Sequence, residues 1–204
     1  MSDSQVVHVI DDDAEVRQSL SFLLGTAGLA VRVHESALAF LKALPGLEGG
    51  CIVTDVRMPG MDGIELQRRL QAEKCAMPVI VMTGHGDVAL AVAAMKAGAV
   101  DFIEKPFDDD GLIGAIKSAL ARKRQQGERA AASAEVHSRL KLLSARERQV
   151  LDGLVAGKPN KIIAHDLGIS PRTVEIYRAN VMTKMQADSL SSLVRMVLLE
   201  SPVR

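Results

Sequence analysis

Tryptophan is absent from this chain, and tyrosine occurs once beside four phenylalanines. That leaves no aromatic platform on which unpaired bases could stack, which weighs against single-stranded RNA binding. Cysteine is nearly missing too. Cys51 and Cys75 stand alone, with no CxxC pair and no Cys/His cluster at metal-binding spacing, so both read as buried, reduced thiols. No apolar run approaches a membrane span, and the opening MSDSQVVHV lacks the basic-then-apolar order of a secretion signal. A cytoplasmic protein with no membrane partner is expected. There is no internal repeat.

What is present divides unevenly. The 204 residues carry 25 basic and 25 acidic side chains, but residues 1–125 hold 13 basic against 17 acidic, and residues 126–204 hold 12 against 8. An acidic front and a basic back predict two domains with two tasks, the second on nucleic acid.

In the front half, VVHVID (6–11), AVRVHE (30–35), CIVTDV (51–56), VIVMTG (79–84) and DFIEK (101–105) read as strands separated by helix-period stretches with glycine at the joints. Strands this rich in Val, Ile and Met suit a parallel sheet covered on both faces, so the fold class expected is α/β, a doubly wound (βα)5 parallel sheet. Ligands of such sheets sit outside the carboxyl ends of the strands. Asp11, Asp12, Asp13, Asp55, Thr83 and Lys105 all lie there.

Carboxylates crowded at one strand end raise each other's pKa unless a cation is held among them. Mg2+ suits such a corner, because it takes oxygen ligands, uses one or two carboxylates and keeps waters. Asp12 and Asp55 are the direct ligands expected, with Asp11 acting through water. Asp55 stands alone at a central strand end and is the candidate nucleophile for a phosphoryl group, Lys105 the point charge for a phosphoryl oxygen, and Thr83 a hydroxyl donor to another. Single residues also have plainer readings. Asp13 is expected to cap the helix from Ala14, Asp62 to serve a turn, and Lys105 to close a strand before Pro106 with a possible cis bond. His8, His34 and His137 have no functional company, and His85 reads as a solvated loop residue beside the pocket.

VIDDD, IVTDVRMPGMDG, VIVMTGHGD and DFIEKPF, in this order, resemble the receiver domain of two-component response regulators over about residues 5–124. The resemblance implies that the backbone carbonyl of Arg57 completes the metal ligands and that a sensor histidine kinase supplies the phosphoryl group. It also implies that Phe102 follows Thr83 inward as a switch, the plainer reading being a core aromatic. Residues 87–97 and 101–106 then form a face for phosphorylation-dependent homodimerisation.

From about Asp108 a helix-forming stretch runs on, interrupted at Gly127, with little to bury beyond Leu120. Residues 125–138 read as a helical linker between a domain at 1–124 and a second at 139–204. That second domain reads as all-α, four helices with short joints. IIAHDLGIS followed by PRTVEIYRANVMTKM gives a short helix, a turn at Gly168, Ser170 as N-cap and Pro171 at the first helical position. The next helix places Val174, Val181, Met182 and Met185 on one side, and can enter the major groove. Lys158, Lys161, Arg172 and Lys184 are candidate phosphate contacts; Thr173, Glu175 and Arg178 are candidate base readers.

This tail resembles the LuxR-type helix-turn-helix. Among regulators with both parts, GHGDV, MKAGAVDFIEKPF, SPRTVE and RANVM resemble the NarL/FixJ type. The resemblance implies a transcriptional activator in nitrogen-fixation control, with promoter DNA and RNA polymerase as candidate partners. Two rivals remain open. An aspartate-nucleophile phosphohydrolase needs a second acid two residues after the nucleophile, where Arg57 stands here. A phosphorylation-independent adaptor with a protein-binding tail would show no salt-dependent DNA affinity.

Overall fold

The computed structural model describes residues 6–47, 49–84 and 88–200. The expectations for His85 and Asp87 lie outside them. The chain falls into two compact units, Met1–Gln125 and Gln126–Arg204.

In the first unit, strands β1 (Val6–Ile10), β2 (Ala30–His34), β3 (Cys51–Asp55), β4 (Val79–Thr83) and β5 (Asp101–Glu104) form one parallel sheet in the order β2-β1-β3-β4-β5. All five expected strands are present, and the sheet is parallel throughout. Alternation along the strands sorts side chains to two faces. Val7, Val9, Val53, Ile80 and Met82 pack with Leu20 and Leu24 of α1 (Ala14–Thr26) and with Leu112 and Ile116 of α5 (Asp109–Lys141). Ile10, Ile52, Val79 and Val81 turn the other way, onto α2 (Ala37–Ala43), α3 (Gly63–Ala72) and α4 (Val88–Lys96). The strand order reverses between β1 and β3, which opens the crevice at their carboxyl ends.

His8 faces this second core and is 1% exposed. Its Nδ1 lies 3.3 Å from Nε2 of His34, and its Nε2 lies 3.2 Å from the carbonyl of Gly49. A carbonyl only accepts, so His8 Nε2 carries the proton and His34 Nε2–H donates to the bare Nδ1. Both rings pack against Phe40, with centroids 5.6 Å and 5.0 Å away. Cys51 is buried, and desolvation pushes its thiol up to about 12 against a small opposing pull from Lys123. Cys75 is only half-buried.

The second unit is helical, as expected: α6 (Ala145–Val155), α7 (Asn160–Leu167), α8 (Pro171–Met185) and α9 (Leu190–Glu200). Val150, Leu151, Leu154, Ile163, Val174, Val181, Met185 and Leu193 make its core, and Val136 and Leu140 at the end of α5 join them. Two expectations change here. α5 continues through Gly127 without interruption, because one helical glycine costs only about 1 kcal/mol against alanine. The stretch beyond Leu120 does bury something, since Val136 is 6% exposed.

Candidate functional site

The acidic corner is assembled by caps and strand ends. Asp13 caps α1 by accepting the Glu15 N–H at 2.8 Å. Asp62 does the same for α3 with the Glu65 N–H at 2.6 Å, so it is a helix cap rather than a simple turn residue. Directly after β1, Asp11 is 2% exposed; its Oδ1 accepts the Asp13 N–H at 2.9 Å, and its carbonyl accepts from Arg17 Nη1 at 2.7 Å. Asp55, closing β3, accepts the Arg57 N–H on Oδ2 at 2.7 Å.

Lys105 joins the two carboxylates. Its Nζ lies 2.6 Å from Asp55 Oδ1 and 3.1 Å from Asp11 Oδ2. Burial by itself pushes the Lys105 pKa down, but the hydrogen bonds and charges of Asp55 and Asp11 more than reverse this, and it ends raised. The peptide bond between Lys105 and Pro106 is cis. Thr83 is buried at 3% exposure and donates its hydroxyl to the Gly84 carbonyl at 3.1 Å.

The structure thus brings Asp11, Asp55 and Lys105 together and leaves Asp12 exposed. The charge between Asp11 and Asp55 is here the Lys105 ammonium rather than the metal ion expected on Asp12 and Asp55. Asp11 turns inward, where its Oδ1 accepts the N–H of the cap residue Asp13. Among the described residues no three His, Cys, Asp or Glu side chains are gathered for a metal ion. Two carboxylates converging on one cation remain a fit for Mg2+, which binds through one or two carboxylates and retains waters.

Phe102 is not a core aromatic, being 43% exposed. It lines a mostly apolar cleft of about 400 Å3 with Thr83, Ala91, Val92 and Met95. Sequence reasoning also passed over two residues. Arg17 holds the Asp11 carbonyl. At Gly63 a Cβ would sit 2.3 Å from the Asp55 carbonyl oxygen, so glycine is needed there for close approach rather than for a turn; nothing in a local pattern signals that.

In the helical unit, Ser170 caps α8, accepting the Thr173 N–H at 3.1 Å, and Pro171 opens the helix. Gly168 ends α7 at φ 65°, a left-handed turn that glycine adopts without strain. Of the candidate DNA contacts, Lys161, Arg172 and Glu175 are exposed and Arg178 is half-exposed. Thr173 shares its hydroxyl with Ser170 Oγ at 2.8 Å. Lys158 pairs with Asp166 at 2.8 Å, in a solvent-exposed contact that holds it weakly. Lys184 Nζ lies 2.7 Å from Oε2 of Glu147, whose side chain is 5% exposed. Glu147 is also half of a capping box with Ser144, and the Lys184 hydrogen bond, then the Ser144 N–H, hold its pKa below the usual carboxylate value. A buried carboxylate demands a counter-charge, which ties Lys184 to the fold.

Residues 7–117 match the family model for the response regulator receiver domain, and residues 141–197 the model for bacterial regulatory proteins of the luxR family. The chain is 62% identical over 199 residues to the transcriptional regulatory protein FixJ of Azorhizobium caulinodans, covering 98% of this chain and 94% of that protein. Full-length FixJ from B. japonicum superposes with a TM-score of 0.65 at 54% identity, covering all of both chains. The response regulator StyR gives a TM-score of 0.78 at 40% identity, covering 94% of this chain and 97% of that one.

Proposed function

The chain belongs to the two-component response regulators of the NarL/FixJ type, a receiver domain joined to a LuxR-type DNA-binding domain, and on that premise we propose that it accepts a phosphoryl group on Asp55 from a sensor histidine kinase. It then dimerises and binds promoter DNA as an activator. The observation that carries this reading is the Lys105 ammonium held against both Asp55 and Asp11. That contact sets a nucleophilic carboxylate beside a fixed positive charge at the mouth of the sheet.

In the transfer, an Asp55 oxygen forms a bond to phosphorus as the bond from phosphorus to the kinase imidazole nitrogen breaks. Asp55 Oδ2 is oriented by the Arg57 N–H. Lys105 is placed to leave the carboxylate and follow a phosphoryl oxygen, and the Thr83 hydroxyl to exchange the Gly84 carbonyl for another. When bound, Mg2+ drawn by Asp11, Asp12, Asp55 and the Arg57 carbonyl supplies charge that offsets repulsion between the anionic donor and the carboxylates.

The signal is a bias between two packings, limited by how differently the phosphoryl group binds each. Phe102 and the apolar cleft beside it support a switch in which the ring moves toward a displaced Thr83. Val92, Met95 and Val100, each at least 40% exposed, support this side as the dimer face. The relatives named FixJ support nitrogen-fixation control, with RNA polymerase as a further partner. A cytoplasmic location is part of this reading, since promoter DNA is met there; among the described residues no helix is long and apolar enough to cross a membrane.

The test is treatment with acetyl phosphate and Mg2+, followed by mass and sizing measurements. Wild type is expected to gain one phosphoryl group and shift to a dimer, and Asp55→Asn to do neither. Equal labelling of the substituted protein overturns the assignment of Asp55.

A further inference from the structure

A cleft of about 430 Å3 opens at the amino-terminal edge of the sheet, the end away from Asp11 and Asp55. It is lined by Leu44 and Leu47 ahead of β3, by Glu73, Cys75 and Met77 ahead of β4, and by Lys123 of α5. That volume lies in the range of small-molecule sites, which are apolar with a few polar groups that fix orientation. Leu44, Leu47 and Cys75 pack against the core that holds Met77, so the apolar walls belong to a packed framework.

Lys123 is half-buried. Its ammonium reaches the backbone at Gly49, where a Cβ would sit 3.5 Å from Nζ. Among the described residues it forms no ion pair. Glu73 lines the same cleft but is exposed. A charge partly withdrawn from water without a partner is unfavourable, and so is water held against apolar walls. One kind of molecule answers both: a single carboxylate on the ammonium, with a short alkyl chain along Leu44, Leu47 and Met77. Inorganic phosphate or a dicarboxylate leaves the walls wet and brings further negative charge toward Glu73. An amine meets the lysine.

We propose that this cleft binds a free medium-chain fatty acid, with Lys123 as the carboxylate anchor. The bound molecule lies at the opposite ends of the strands from Asp55 and Lys105, so it competes with nothing at the acidic corner.

The experiment uses the full-length chain, titrated calorimetrically with butanoate, hexanoate, octanoate and octan-1-ol. Affinity is expected to rise about four-fold for each added methylene, at about 0.8 kcal/mol apiece. Octan-1-ol should bind at least about ten-fold more weakly than octanoate, because it lacks the charge-assisted hydrogen bond. Lys123→Met keeps the apolar wall and should lose the preference for octanoate over the alcohol. Octanoate should also slow alkylation of Cys75 by N-ethylmaleimide in wild type, read by mass after digestion, with the buried Cys51 as the unreactive control. This second measurement needs no variant, so it decides the matter if Lys123→Met does not fold. No binding of octanoate, or binding that leaves Cys75 unprotected, overturns the proposal. So does a preference for the carboxylate that survives in Lys123→Met.

Discussion

The paired imidazoles at the edge of the sheet tie proton uptake to stability. Burial, then the neighbouring His8 and Arg32 charges, lower His34 to about 4. An unfolded histidine titrates near 6.5, so between those values the unfolded chain holds the extra proton and stability rises with pH. The contribution is complete above the unfolded value and lost as pH falls toward about 4. Urea unfolding across that window should therefore show stability decreasing on acidification, with a shallower slope in His34→Gln; an unchanged slope would mean that His34 is not the group responsible. The sequence showed two histidines in neighbouring strands. It did not show their pairing, which depends on the register His8↔Arg32 and Ile10↔His34 and on a carbonyl at Gly49. The acidic corner was legible in the same partial way. Residue types placed carboxylates, Thr83 and Lys105 at the strand ends, but that Asp11 rather than Asp12 turns inward depends on the hydrogen bond from the cap residue Asp13.

Among elements, α3 shows how a helix start can serve a strand end. Its N-cap is Asp62, and its first residue Gly63 lies against the Asp55 carbonyl, with the Gly63 N–H donating to the Val56 carbonyl at 2.9 Å. Gly63→Ala forces backbone apart at that point, an overpacking that costs about 1–3 kcal/mol. Urea unfolding should register that loss, and labelling by acetyl phosphate should slow; an alanine variant with wild-type stability and labelling rate would rule out the close approach. Element type and extent were readable because they follow local periodicity and capping, as with Ser170 and Pro171 opening α8. Whether a lysine of α8 stands alone is not a local property: Lys184 is held by Glu147, 37 residues away in sequence.

At the scale of the whole molecule, one helix serves two cores: Leu112 and Ile116 of α5 pack in the first unit, Val136 and Leu140 in the second. A division at Arg139, natural from composition, leaves Val136 off the helical unit. The fragment 126–204 should exceed the fragment 139–204 in stability by about 2 kcal/mol, the worth of one buried valine, as measured by urea unfolding; equal midpoints and slopes would show that α5 contributes nothing there. The change from acidic to basic composition located the two units, whereas the apolar side chains that α5 lends to the second were too sparse to stand out. The Lys105 bridge has a further consequence. Because the chain carries its own tethered counter-ion, the corner is already partly neutralised at rest, and whatever enters must outcompete an ammonium that cannot diffuse away. Monovalent salt offers nothing the lysine lacks. The Mg2+ of the proposed reaction has the higher charge density to outcompete it, and on that proposal the lysine sets the selectivity of the corner.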